Sequence, residues 1–372
     1  MTKSLNHHFH LGVILQIGLV GLPGVGKTTL FNALVKTEAE TGSFTGMKGP
    51  NRGVIKVPDR RVTLLSELFK PEKITFATVD YLDIAGITSG AGKQEVQQDD
   101  GGGIAALRNM DVLVHVLRGF PDLADTPITP KEDYENVEVE LALADLEIIE
   151  RRLGRLTKEA RSTKDPDLLR ENELLERCKA TIEDGGGIRD LAFEGDDEKR
   201  LRGYRFLSQK PNLLVLNIPE EAIDQEASYL EMLGDLSSRL ETIALCAKIE
   251  MEIAQLDDED AAEFLQDLGI EEPALSRMII TSYRLLNLIS FFTVGEDEVR
   301  AWTITQGTTA PEAAGEIHSD LERGFIRAET AACQALLDSG GWQPAKEQGL
   351  LRLEGKHYTV VDGDVMNIRF SV

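Results

Sequence analysis

The chain has 372 residues, 42% hydrophobic and 28% charged, which excludes wholesale disorder and points to two or three domains at roughly 100–200 residues each. Lys and Arg number 40 against 64 Asp and Glu, a formal charge of −24; an evenly acidic surface repels nucleic acid, so any contact with phosphates needs a local basic patch. No apolar run approaches the roughly 20 residues that span a bilayer, there is no secretory signal, and Cys178, Cys246 and Cys333 are too few and too dispersed for a disulfide framework. A reducing cytoplasm, with no membrane partner, is the expected setting.

The first dozen residues are polar and contain His7, His8 and His10 without a carboxylate to orient a metal; they read as a frayed terminus. Val13–Val20 is a short apolar run of the kind that forms a buried parallel strand. It leads directly into Gly21-Leu22-Pro23-Gly24-Val25-Gly26-Lys27-Thr28-Thr29, which satisfies the G-x-x-x-x-G-K-[ST] pattern. Glycines at this spacing let the backbone N–H groups of Gly24 to Thr29 converge on phosphates at the start of the following helix. Lys27 then reaches the β- and γ-phosphates and the Thr28 hydroxyl holds Mg²⁺.

Thr78–Leu82 reads as a second buried strand and is followed by Asp83-Ile84-Ala85-Gly86. A carboxylate at Asp83 can hold Mg²⁺ through water, and the Gly86 amide can sense the γ-phosphate. Ile87 stands where related enzymes place a water-orienting glutamine, so hydrolysis is expected to be slow or to borrow a group. Val112–Leu117 is a third strand, and His115 within it reads as a core histidine. From Lys131 to about Arg205 the character changes. Val139, Ala142, Leu146, Ile149, Leu153, Leu156 and Ala160 form a heptad seam, and after a break at 162–166 Leu168, Leu175, Cys178 and Ile182 form another. Two such helices make an antiparallel coiled-coil arm, closed by Gly185-Gly186-Gly187.

Leu213–Leu216 is the fourth strand. It ends in Asn217-Ile218-Pro219-Glu220, where a guanine-reading site carries Asn-Lys-x-Asp. The aspartate of such a site accepts guanine's N1 and N2 protons, which adenine lacks; an asparagine can pair with adenine N6 and N7. Glu220 in place of aspartate therefore favours relaxed or adenine-biased recognition. The chain then reads as helical to about Leu288. Short β-like runs at Phe291–Val294 and Tyr358–Val361, with an Asp362-Gly363 turn, mark a small C-terminal α+β domain.

These motifs, with Val57-Pro58-Asp59, Ala247-Lys248-Ile249-Glu250, Glu298–Ile304, Arg352–Lys356 and Asp362–Val365, resemble the YchF/Obg-like ATPase family over nearly the whole chain. The resemblance implies an α/β P-loop domain with a doubly wound sheet (1–130 and 206–288), an inserted coiled-coil arm (131–205) and a β-grasp-like TGS domain (289–372). It also implies an ATPase that binds the ribosome or RNA, with adenine contacts from Asn217 and the backbone of Ile218 and a last nucleotide loop at Cys246 and Ala247. A monomer is expected, because the two arm seams can satisfy each other within one chain. Three departures stand out. Gly24 replaces an asparagine that helps hold potassium in related enzymes. Met47 falls where a Mg²⁺-binding threonine belongs, leaving Thr45 as the nearest substitute or the ligand lost. The stretch Gln97–Gly103 is longer and richer in glycine.

The arm also carries Arg151, Arg152, Arg155, Lys158, Arg161 and Lys164 against the single acid Glu159. Such a run is either a solvated helix face or a basic tip that meets RNA phosphates. The reading that results is a slow, Mg²⁺-dependent ATP hydrolase acting as a ribosome-linked switch. The alternatives are a nucleotide-binding module with little catalysis and a GTP-using nucleic-acid-associated factor.

Overall fold

A computed structural model describes residues 15–36, 51–84, 103–159 and 165–371. The histidine-containing leader, Thr45, Met47, Gly86, Ile87, residues 97–102, Ala160, Arg161 and Lys164 lie outside the described residues, as does the side chain of Lys158.

Two six-stranded sheets organise the described residues. The first contains β1 (Leu15–Val20), β2 (Asn51–Lys56), β4 (Thr78–Asp83), β5 (Val112–Arg118), β6 (Asn212–Asn217) and β7 (Glu241–Leu245), in the order β2-β4-β1-β5-β6-β7. β1, β5, β6 and β7 pair in parallel, and every residue of β6 is buried, as expected of a strand covered on both faces. β7 corrects the expectation of continuous helix to Leu288. Its five residues, Glu241-Thr-Ile-Ala-Leu245, lack a long apolar run and become a strand through their register against Leu213–Asn217.

The second sheet is built from β3 (Lys73–Thr75), β8 (Leu288–Val294), β9 (Glu298–Thr305), β10 (Phe325–Ala332), β11 (Arg352–Glu354) and β12 (Asp364–Phe370), in the order β11-β10-β12-β8-β9-β3. Tyr358–Val361 is not one of its strands. That segment makes a single bridge, Thr309 with Thr359, while Val360 fills the core beside Phe291, Phe325 and Met366. Among the described residues, backbone contacts group 16–36, 51–53, 81–84, 103–159 and 165–275 in one compact unit and 15, 54–80 and 276–371 in a second. The segment 54–80, assigned to the P-loop domain from sequence, thus groups with the C-terminal residues. The reason is non-local: β3 pairs in parallel with β9, and Glu298 accepts from Thr75 Oγ1 at 2.6 Å and pairs with Lys73 at 2.9 Å. Arg61 adds a second tie. It pairs with Asp59, which caps its own helix Arg60–Phe69, and reaches Asp362 at 2.7 Å, so the motifs around 57–59 and 362–365 meet through one guanidinium.

Within the first unit the arm consists of helices Pro130–Glu159 and Pro166–Glu183. Ile149, Leu153 and Leu156 bury against Leu174, Leu175, Cys178 and Ile182, as the heptads require. The seam does not extend to its first expected residue, because Val139 is exposed; there Val137 and Leu141 face the sheet core instead. The helix changes partner along its length, and so changes the face it buries.

Two polar contacts, one fully buried and one partly buried, root this helix. Asp145 is fully buried, accepts from Leu207 N (3.0 Å) and from Ser208 N (2.8 Å) and Oγ (2.9 Å), and pairs with Arg108 at 2.7 Å. Earlier on the same helix, Glu138 pairs with Arg189 and accepts from Asn212 Nδ2, beside the buried His115 on β5. Burial pushes the Glu138 carboxyl up, but Arg189 and His115 outweigh it and hold it at about 2.

Asp145→Ala removes the ion partner of Arg108, which keeps only carbonyl acceptors at Ala144 and Arg205, and leaves two buried N–H groups unpaired; it is expected to lower unfolding free energy by about 3 kcal/mol or more in urea titrations. A loss below about 1 kcal/mol would show that the helix root lies elsewhere. Because the Glu138 pKa is depressed by folding, its stabilisation is complete above the unfolded carboxyl range near 4.5 and is lost as pH falls toward 2. The stability gap between wild type and Glu138→Gln should therefore shrink from about pH 5 to about pH 2.5; a gap that is constant over that interval contradicts the assignment.

Candidate functional site

β1 delivers the chain into the loop 21–28, and the helix Lys27–Lys36 leaves it. Two glycines are dictated by close approach. Gly21 has φ +149° and a Cβ there would lie 2.3 Å from the Val116 carbonyl; Gly26 has φ +97° and its Cβ would lie 2.3 Å from Asn217 Nδ2. No side chain fits either place. Val25 between them is buried and anchors the loop, while Pro23, Gly24, Thr28 and Thr29 are exposed along it.

Lys27 is 7% exposed and donates to the carbonyls of Gly21 (3.0 Å) and Leu22 (2.9 Å). An ammonium has three N–H donors, so one remains for a ligand held in the same curl. Burial lowers the Lys27 pKa and the Asp83 carboxylate opposes that shift. Asp83, at the end of β4, is buried and accepts from Thr28 Oγ1 at 2.9 Å across 55 residues of sequence. A hydroxyl that donates to a carboxylate keeps its lone pairs for a cation. Thr28, Asp83 and the phosphate oxygens of a nucleotide form an all-oxygen donor set that fits Mg²⁺, which takes one or two protein ligands together with phosphates and water. Among the described residues no group of three or more His, Cys, Asp or Glu side chains could hold a metal by itself.

The opposite wall is formed by the ends of β6 and β7, paired so that Asn217 lies beside Leu245. Ile218 N donates to Leu245 O at 2.8 Å. The Asn217 side chain is buried and works at both ends: Nδ2 donates to Val25 O at 3.0 Å and Oδ1 accepts from Ala247 N at 2.9 Å. The carboxamide read from sequence as a two-point adenine reader is thus already bonded to the phosphate loop and to the last loop, with one N–H left over. Cys246 is buried ahead of the helix Ala247–Ile253. Glu220 is half-exposed, and its carboxylate pairs with Lys248 at 2.6 Å. Sequence alone gives Lys248 no role of its own: lysine on a helix surface carries no signal until β6 and β7 are placed side by side. Glu250 of the same motif is buried and accepts from the first N–H groups of helix Ala274–Leu285, a structural cap.

At the arm, Arg151 pairs with Glu147 along the helix, Arg155 Nε donates to the Arg151 carbonyl, and both residues are exposed. Arg152 departs from the expected basic face. It is 22% exposed, pairs with Glu171 at 2.7 Å and Glu159 at 3.3 Å, and ties the two arm helices together.

Comparison with known proteins agrees with this geometry. Residues 16–152 match the family described as 50S ribosome-binding GTPase, and residues 288–371 match the YchF-type GTPase C-terminal family, described as a protein of unknown function. The chain is 44% identical over 364 residues to the ribosome-binding ATPase YchF of Haemophilus ducreyi, covering 96% of this chain and 99% of that one. It is 43% identical to the ribosome-binding ATPase YchF of Bacillus subtilis, with 96% and 100% coverage. The solved YchF GTPase of Schizosaccharomyces pombe superposes with a TM-score of 0.80 at 28% identity, over 96% of this chain and 98% of that one. The phosphate loop, the strand-end carboxylate, the arm and the C-terminal sheet occur together in a chain that belongs to the YchF family.

Proposed function

We propose that the protein is a slow, Mg²⁺-dependent ATP hydrolase that prefers ATP to GTP and acts as a ribosome-associated switch. The observation that carries this is the Thr28–Asp83 hydrogen bond beside the buried Lys27: hydroxyl, carboxylate and ammonium converge on one curl of main-chain amides. In this reading the amides from Gly24 to Thr29 and the Lys27 ammonium bind the β- and γ-phosphates and neutralise charge as it develops on them. Thr28, and Asp83 through water, hold Mg²⁺, which when bound supplies further charge neutralisation on the phosphate oxygens. Ile87 has no group to orient water, so turnover is slow unless a partner provides one. The names of the relatives support ribosome association, and the exposed Arg151 and Arg155 support a basic arm tip as its route. No helix among the described residues is long and apolar enough to cross a membrane; a cytoplasmic monomer is the form proposed.

Titration with fluorescent ATP and GTP, with and without magnesium, tests the site. Lys27→Ala is expected to weaken binding roughly 10- to 100-fold through removal of a charge-assisted hydrogen bond; unchanged uptake would remove the phosphate assignment. GTP binding at least about tenfold tighter than ATP would overturn the adenine preference. Single-turnover assays with and without ribosomes address catalysis, and no phosphate release in either favours a binding module. For the arm, replacing Arg151, Arg155, Lys158, Arg161 and Lys164 by glutamine should reduce ribosome co-sedimentation. It should also flatten the salt dependence, by roughly 0.7 in log–log slope for each phosphate no longer neutralised. Co-sedimentation equal to wild type would exclude the arm.

A further inference from the structure

We propose that Lys248 is a specificity-determining positioning residue: by pairing with Glu220 it keeps that carboxylate from reading guanine. The inference deepens the adenine preference proposed above and rests on it. Its basis is the parallel pairing of β6 with β7, which starts two loops side by side, Ile218–Glu220 after one strand and Cys246–Lys248 after the other. Three hydrogen bonds fix the bases of these loops: Ile218 N donates to Leu245 O, Ala247 N to Asn217 Oδ1, and Asn217 Nδ2 to Val25 O. Glu220 and Lys248 each lie three residues beyond the paired strand-end residues Asn217 and Leu245, and their charged ends meet at 2.6 Å. The hydrogen bond to Glu220 raises the Lys248 pKa, and Glu252 on the same helix adds a smaller attraction.

Guanine presents N1–H and N2–H to a carboxylate at this place in the loop. Glu220 could accept them only by giving up its ammonium partner. Adenine has no N1–H and asks nothing of Glu220, so the pair persists when adenine is bound. Discrimination of this kind adds a cost against the wrong ligand rather than a contact to the right one. Both side chains are exposed, so the effect is small and salt-screened.

Competition titrations of ATP and GTP on full-length wild type, Lys248→Met, Lys248→Arg and Glu220→Gln test the proposal. Lys248→Met should lower the ratio Kd(GTP)/Kd(ATP) about threefold, a size consistent with an exposed ion pair. Lys248→Arg should restore the wild-type ratio, and in a Glu220→Gln background Lys248→Met should have no further effect. An unmoved ratio in Lys248→Met overturns the proposal, as does a shift of both nucleotides by one factor, which would mark Lys248 as a general base contact. A wild-type chain that itself prefers GTP overturns the adenine reading and this inference together. That result is visible before any substitution, so the two failures are distinguishable.

Discussion

The nucleotide site depends on one carboxamide. Asn217 sits at the end of a wholly buried strand, donates to the Val25 carbonyl and accepts from the Ala247 amide. These two bonds lock the phosphate loop to the last loop, and they explain why Gly26 has no side chain: a Cβ there would crowd Asn217 Nδ2. A buried amide of this kind is costly to leave unpaired, so removing either partner disturbs the other. The curl of amides proposed to receive phosphate and the wall proposed to receive the base are one hydrogen-bonded object.

A second pin joins that object to β4. The Thr28–Asp83 bond connects the first turn of helix Lys27–Lys36 to a strand end 55 residues later, and Asp83 also acts on the charge of Lys27. The arm is rooted in the same unit by buried charge, Asp145 on Arg108 and on the 207–208 amides, and Glu138 on Arg189. Its outer half is held by a heptad seam and by Arg152 reaching across to Glu171. Polar roots and an apolar outer seam divide the work: the first tie the helix to the sheet and the 207–208 backbone, the second packs its outer half against the second arm helix.

What can be read from the sequence follows from the range of the interactions. The glycine-rich loop, the carboxylate after Leu82 and the strands at 112–117 and 213–216 are local patterns: the loop lies between β1 and helix Lys27–Lys36, Asp83 ends β4, and the two runs are β5 and β6. β3 and β7 are not legible. Three residues at 73–75 and five at 241–245 have little periodicity of their own and become strands through β9 and β6, partners outside their own stretch of chain. Tyr358–Val361 misleads for the opposite reason: its composition is strand-like, but Val360 packs into the core from an irregular segment. Val139 fits a heptad by spacing, yet the helix changes faces as its neighbour changes from sheet to helix.

The charged residues show the same rule most sharply. By spacing alone Arg152 is equivalent to Arg151 and Arg155, but its position across from Glu171 makes it a structural clasp while the other two stay on the surface. Glu220 reads as a lengthened guanine reader; placed beside β7 it becomes half of an ion pair with Lys248, a pairing that the motif containing Lys248 does not by itself announce. Opposite charges meet where the sheet brings strand ends together, and that adjacency is a property of strand order, not of any short stretch of chain. A site on a parallel sheet therefore has its phosphate chemistry written locally, in one loop after one strand, and its base chemistry written across loops. The first survives in sequence as a motif; of the second, Asn217 and Glu220 are visible at a strand end, whereas their bonds to Ala247 and Lys248 require the register of β6 on β7.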